Sequence, residues 1–144
     1  TDTAVVHPFK KGHPSFEGKR ILLVEDNELN MEIAEFVLEN KGVVVTKAEN
    51  GEKAVELFRN SGIGEYDAVL MDIMMPVMNG YEAAKTIRSM DRKDAKAIPI
   101  IAMTANAFTE DRIRAKEAGM DKHIAKPIDI KTILAVFDQV FRTS

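Results

Sequence analysis

Five residues of this 144-residue chain follow short runs that end abruptly in a polar group. Glu25 and Asp26 follow Ile21 to Val24, Asp72 follows Ala68 to Met71, Thr104 follows Ile98 to Met103, and Lys126 follows His123 to Ala125. Short apolar runs punctuated by Gly, Pro or Asn read as buried strands. In an open parallel sheet the carboxyl ends of such strands share one edge, where ligands bind. Three carboxylates gathered there repel, so some must take up a proton or share a cation. Oxygen donors without Cys or His select a hard cation, with Mg²⁺ foremost. An ammonium and a hydroxyl beside a metal-bound carboxylate suit a phosphoryl group: the cations neutralise its oxygens and the hydroxyl donates to them. An ionised Asp72 is then a competent nucleophile for forming an aspartyl phosphate. Each residue also has a plainer reading. Asp72 or Asp26 can cap the following helix, Thr104 can bond to backbone, and Lys126 can be a surface lysine. All of these must hold together for the site to vanish.

The elements that position these residues alternate strand and helix five times. Leu29, Ile33, Phe36 and Val37 fall on one helical face, closed by Gly42, and Val43 to Val45 reads as a short strand. Asn50-Gly51 opens a second helix with Ala54, Leu57 and Phe58 inward, closed by Gly62 and Gly64. Tyr81, Ala84 and Ile87 form the third inner stripe, and the polar tract Asp91 to Lys96 reads as a loop. A helix over 109–118 is mostly charged, with Ile113 nearly alone as a large apolar residue, and Gly119 caps it. So small an apolar face predicts a loosely held helix. The last helix has the strongest stripe, Ile130, Ile133, Leu134, Phe137, Val140 and Phe141, with Asp129 as N-cap. The expected fold is α/β, a five-stranded parallel sheet doubly wound with helices on both faces.

Residues 1–18 lack periodicity and carry Pro8, Pro14, Gly12 and Gly18, so they read as a linker or arm ahead of one domain over 19–144. His7 and His13 each precede a Pro and have no third ligand, which argues against a metal pair. The first residue is Thr, so the chain reads as processed or as part of something longer. Twenty Lys+Arg against 23 Asp+Glu give a net charge of -3, which offers no electrostatic case for nucleic acid or an anionic membrane. The absence of Cys excludes disulfides and thiolate metal sites. No run approaches membrane-spanning length and no secretory signal is visible, so the cytoplasm is the expected compartment. Neither a G-x-G-x-x-G nor a Walker loop is present to cradle a nucleotide.

Four segments, ILLVEDNELN, YDAVLMDIMMPVMNGYE, IPIIAMTANAF and AGMDKHIAKPID, stand in the order and spacing of a response-regulator receiver domain, and the chain resembles that family over about residues 19–142. The resemblance implies a flavodoxin-like sheet of order 2-1-3-4-5. It implies Asp72 as phosphoacceptor, Asp26 as direct Mg²⁺ ligand, Glu25 supporting through water, and the Met74 backbone carbonyl as a further ligand. Thr104 and Lys126 would bind the phosphoryl oxygens and signal their presence. The residues flanking the hydrolytic water would be Met74 and Asn106, whose side chains imply slow loss of phosphate. A cis Lys126-Pro127 bond is also implied. One departure is His123, at a switch position usually held by Tyr or Phe; it reads either as an altered switch or as a half-exposed strand residue. The regulated surface would comprise the 109–118 helix, the His123 strand and the last helix.

The wording MTANAF and HIAKPID, behind a linker ending FEGKR, is similar to receivers of hybrid sensor histidine kinases. The partner implied is a histidine kinase or a histidine phosphotransfer protein, and a weak dimer is compatible with the family. Two other classes stay in view. A receiver-like binding module that is never phosphorylated typically lacks a site residue, and none is missing here. An aspartyl-phosphate phosphatase would carry a second Asp two residues past the nucleophile, where this chain has Met74.

Overall fold

The computed structural model describes residues 16–75, 77–105, 109–126 and 128–141. Five strands form one sheet: β1 Arg20–Val24, β2 Val44–Ala48, β3 Ala68–Asp72, β4 Ile100–Thr104 and β5 Lys122–Ala125. Their order is β2-β1-β3-β4-β5 and every pairing is parallel. Every residue of the central β3 and β4 is buried, which is why both read as continuous apolar runs. β2 pairs only with β1 and buries Ala48 alone, so its sequence is mixed. It starts one residue later than the predicted 43–45 strand and runs to Ala48; Val43 is buried ahead of it.

Six helices are described: α1 Glu28–Glu39, α2 Gly51–Arg59, α3 Gly80–Arg88, α4 Lys93–Ala97, α5 Thr109–Glu117 and α6 Ile130–Phe141. Two apolar clusters separate the faces of the sheet. One holds residues of α2, α3, α4 and α5, including Phe58, Tyr81 and Ile87. The other holds residues of α1 and α6, including Leu38, Ile133 and Phe137. Phe16 is buried in the second cluster, its ring edge-on to Phe137 at 5.4 Å.

Helix boundaries follow local chemistry. Asn27, Asn50 and Asn79 each accept a hydrogen bond from the backbone N–H three residues on, at 2.8–2.9 Å, and Asp129 does the same for Thr132. Asn79 and Glu82 complete a reciprocal capping box. After α1, Gly42 adopts φ +82°, with Gly42 N–H bonding to Glu39 O and Val43 N–H to Leu38 O, the pairing that a left-handed residue closes.

Three expectations need correction. Leu29, Ile33 and Phe36 are exposed, and α1 instead buries Met31, Ala34 and Leu38. The tract expected to be a loop contains α4, a five-residue helix that buries Ala95. It is ordered by Arg92, whose guanidinium donates to the carbonyls of Phe58, Ser61 and Gly62 and to Asp94, and lies 4.6 Å over the Phe58 ring. The hydrogen bond from Arg92 holds Asp94 well below the usual carboxylate range, at about 2. In α5 the one large apolar residue, Ile113, is exposed, and the helix packs through Ala115, with Ala118 just beyond its end.

Candidate functional site

Parallel register brings the chemical residues to one edge. Val24 pairs with Met71, so Glu25 and Asp72, each one residue on, stand beside each other where the strand order reverses between β1 and β3. Asp72 pairs with Met103, placing Thr104 one step beyond, and Thr104 pairs with Ala125, placing Lys126 one step beyond again. Lys126 N–H donates to Thr104 O at 2.8 Å, which fixes where the lysine leaves the sheet. Gly80 closes the loop after β3 by donating to Ile73 O at 2.9 Å. A Cβ on Gly80 would collide with the Asp72 carbonyl, so this turn requires glycine.

The only buried polar or charged residues among those described are Glu25, Asp72 and Thr104. Lys126 Nζ lies 3.1 Å from Glu25 Oε1 and 3.1 Å from Asp72 Oδ2, so one ammonium serves two carboxylates. Glu25 also accepts from Asn27 N–H at 3.2 Å, and Asp72 Oδ1 accepts from Met74 N–H at 3.3 Å. Burial first, then the Glu25 charge, pushes Asp72 up to about 7, against the opposing pull of Lys126. Burial acts against the Lys126 charge, but the two carboxylates outweigh it and raise its pKa. The site thus carries more negative charge than its single ammonium balances.

Glu25, Asp26 and Asp72 each offer a carboxylate oxygen within 4.8 Å of the others. This all-oxygen set fits a hard divalent cation, and exposed Asp26 leaves the set open to solvent. The described residues that the sequence singled out for this edge are therefore brought together. Met74 contributes backbone here while its side chain is 73% exposed. His123 is half-buried on β5, three residues from Lys126; burial first, then the charges of Arg112 and Lys122, lower its pKa. Asn106 and Pro127 lie outside the described residues, and with them the water-flanking role of Asn106 and the cis peptide bond.

A family model described as the response regulator receiver domain matches residues 21–138. The chain belongs to this family. The receiver is 33% identical over 163 residues to probable histidine kinase 1 of Oryza sativa subsp. indica, covering 93% of this chain and 16% of that protein. It is 34% identical over 122 residues to hybrid signal transduction histidine kinase I of Dictyostelium discoideum, covering 83% of this chain and 7% of that protein. The chain therefore spans a small part of the length of these relatives. Among solved structures, it resembles the receiver domain of a Pseudomonas aeruginosa sensor histidine kinase with magnesium in its active-site cleft. That match has TM-score 0.79 and 36% identity, covering 88% of this chain and 99% of that one. It also matches a chain in the Saccharomyces cerevisiae complex of a histidine phosphotransfer signaling protein and the receiver domain of its downstream response regulator. There the TM-score is 0.74 with 27% identity, covering 88% of this chain and 89% of that one. The chain is thus a receiver domain of two-component signalling. No described helix is long and apolar enough to cross a membrane.

Proposed function

We propose that Asp72 accepts a phosphoryl group from a phosphohistidine partner. The observation that carries this reading is Lys126 Nζ at 3.1 Å from both Asp72 and Glu25, in a buried carboxylate cluster one strand from Thr104. An Asp72 oxygen forms a bond to phosphorus as the phosphorus–nitrogen bond breaks, and the departing imidazole keeps the electron pair and takes up a proton. Asp26, Glu25, Asp72 and the Met74 carbonyl are the residues that would hold Mg²⁺, which when bound offsets phosphoryl and carboxylate charge. Lys126 neutralises a phosphoryl oxygen and the Thr104 hydroxyl donates to another. The exposed Met74 side chain offers no strong donor or acceptor for a hydrolytic water, which supports a long-lived phosphorylated state.

The partner is a histidine kinase or histidine phosphotransfer protein. The match to a small part of much longer histidine kinases supports reading the chain as a receiver set within a longer protein. The core contact of Phe16 moves the start of that receiver from residue 19 back to 16, which leaves residues 1–15 as the connecting arm. Exposed Leu29, Ile33 and Phe36 on α1 supply an apolar contact for that partner. The α5–β5–α6 surface, with Thr104 and His123, is the element set that responds to phosphorylation. Incubation with Mg²⁺ and a small acyl phosphate, followed by intact mass, tests the central step. One added phosphoryl group on the parent and none on Asp72→Asn is expected. Labelling that persists in Asp72→Asn, or maps elsewhere in the parent, would overturn the assignment.

A further inference from the structure

A second concavity of about 500 Å³ lies where α5 ends and β5 begins. β5 separates it from Lys126 by its own length, roughly 13 Å. In a chain of net charge -3, its lining carries five cations, Arg88, Lys96, Arg112, Lys116 and Lys122, against the single carboxylate of Asp121. That carboxylate is already committed, accepting from Arg88 Nη2 at 2.9 Å and from Ile100 N–H at 2.8 Å. Arg88 also donates to the carbonyls of Gly119 and Ala95, and Lys96 to those of Arg88 and Met90. These two cations form a fixed positive wall. Among the described residues, no hydrogen bond or ion pair engages the side chains of Arg112, Lys116 or Lys122.

This arrangement costs the apo protein stability. Arg112 and Lys116 are four apart on α5, a like-charge spacing that disfavours a helix, and α5 already buries little. Half-buried His123 reports the same field, since Arg112 and Lys122 add to burial in lowering its pKa. The unpaired cations come from two elements, α5 and β5, and converge on one cavity.

We propose that this cavity is an anion site for a diphosphate-bearing small molecule. The Arg112 fork and the two uncommitted ammonium groups of Lys116 and Lys122 match the clustered oxygens of a diphosphate. Ala115, Gly119 and Met120 leave room for a compact group, and none of the residues lining the cavity offers a Phe, Tyr or Trp ring on which a base would stack. Recognition is therefore of the phosphates, whether from inorganic pyrophosphate, inorganic polyphosphate or a nucleoside diphosphate. So many positive charges around so small a volume fit a compact multivalent anion better than the spaced carboxylates of an acidic peptide. Occupancy clamps α5 to the start of β5, giving the receiver an input independent of Asp72.

The test is calorimetric titration of the full 144-residue chain with pyrophosphate, polyphosphate and adenosine diphosphate in Mg²⁺-free buffer, with amide and His123 imidazole shifts followed by NMR. Saturable binding by at least one of them is expected, with shifts centred on 116–123 and weakening as salt rises. The tightest ligand names the source. Lys116→Glu/Lys122→Glu should lose at least tenfold in affinity, whereas Lys85→Glu/Lys131→Glu, with the same charge change on exposed lysines outside the cavity, should not. Circular dichroism of both pairs checks that the fold is retained. No saturable binding, equal loss in both pairs, shifts confined to the Lys126 edge, or binding of a poly-glutamate peptide but none of the three phosphates would each overturn the proposal.

Discussion

Burial and the Glu25 charge raise Asp72 to about 7, far above the ordinary carboxylate near 3.9. Between those values the folded chain keeps a proton that the unfolded chain releases. The contribution of this group to stability therefore falls as pH rises from about 4 to about 7 and is level above that. Asp72→Asn removes the term. In buffer with a chelator, the variant should be more stable than the parent by roughly 2 kcal/mol at pH 8 and by less at pH 5. Urea unfolding at the two pH values measures this; a gain that is absent, or larger at pH 5, contradicts the assigned cause. Mg²⁺ should narrow the gap by stabilising the parent through mass action. Nearby, Val77 has φ +71° and is 77% exposed. A β-branched residue in the left-handed region costs about 1–2 kcal/mol, with no compensating burial here. Val77→Asn should therefore raise the urea midpoint by about 1 kcal/mol equivalent with an unchanged slope. A lowered midpoint would show that the Val77 side chain makes a contact worth more than the strain. The site itself was legible because each of its residues ends an apolar run, and parallel topology turns such ends into neighbours. That the gathered carboxylates repel was legible; that Asp72 bears the upward shift was not, since it depends on how deeply the fold buries Asp72 and on the Glu25 charge set beside it.

Among elements, α1 and α5 show what periodicity can and cannot tell. In α1 two apolar stripes coexist at helical spacing, Leu29-Ile33-Phe36 and Met31-Ala34-Leu38. The spacing establishes a helix, but the choice of inner face depends on the sheet and α6, against which the smaller Ala34 and its neighbours fit. In α5 a charged sequence did predict weak burial, and among the described side chains of the helix only Ala115 lies in the core. The Arg114 guanidinium stands 4.3 Å over the Tyr81 ring of α3, a cation–π contact worth about 0.5–1 kcal/mol at an exposed position. This clasp is invisible in sequence because the two residues are 33 apart and meet only through the fold. Hydrogen exchange should find α5 less protected than α1, α3 and α6, and Arg114→Ala should speed exchange in α5 while leaving α6 unchanged. Protection of α5 equal to that of α6, or an effect of Arg114→Ala spread evenly over the chain, would show that α5 is held by something other than this contact.

On the scale of the whole molecule, a partner must reach a carboxylate that is 2% exposed, so approach is confined to the open edge above Asp72. What borders that edge is asymmetric. On the α1 side, Ile33 and Ile128 line a cavity of about 270 Å³ together with Glu25 and Lys126, so apolar surface runs into the site. Phe36 at 69% exposed and Leu29 at 64% extend this surface along α1. On the flank of α1 that faces β2, the cavity next to Asp26 is bordered by Glu28, Glu32 and Glu49, which outnumber Lys47 and Lys53 and would repel an incoming phosphoryl donor. Under the proposed function, a protein donor is expected to lie along α1 and deliver its phosphohistidine past Ile33. Burial of one such side chain is worth about 1.5–3 kcal/mol, or roughly ten- to a hundredfold in affinity. Phe36→Asp and Ile33→Asp should lower the rate of transfer from a phosphorylated histidine-containing partner by at least tenfold. Phe36→Asp should leave labelling by a small acyl phosphate within about twofold of the parent, because that donor needs only the site and no docking surface. Because both side chains face solvent, neither change removes core packing, and matching unfolding curves would confirm it. Equal loss with both donors would locate the damage in the site. Full activity with the protein donor would mean that the partner approaches from a face other than α1.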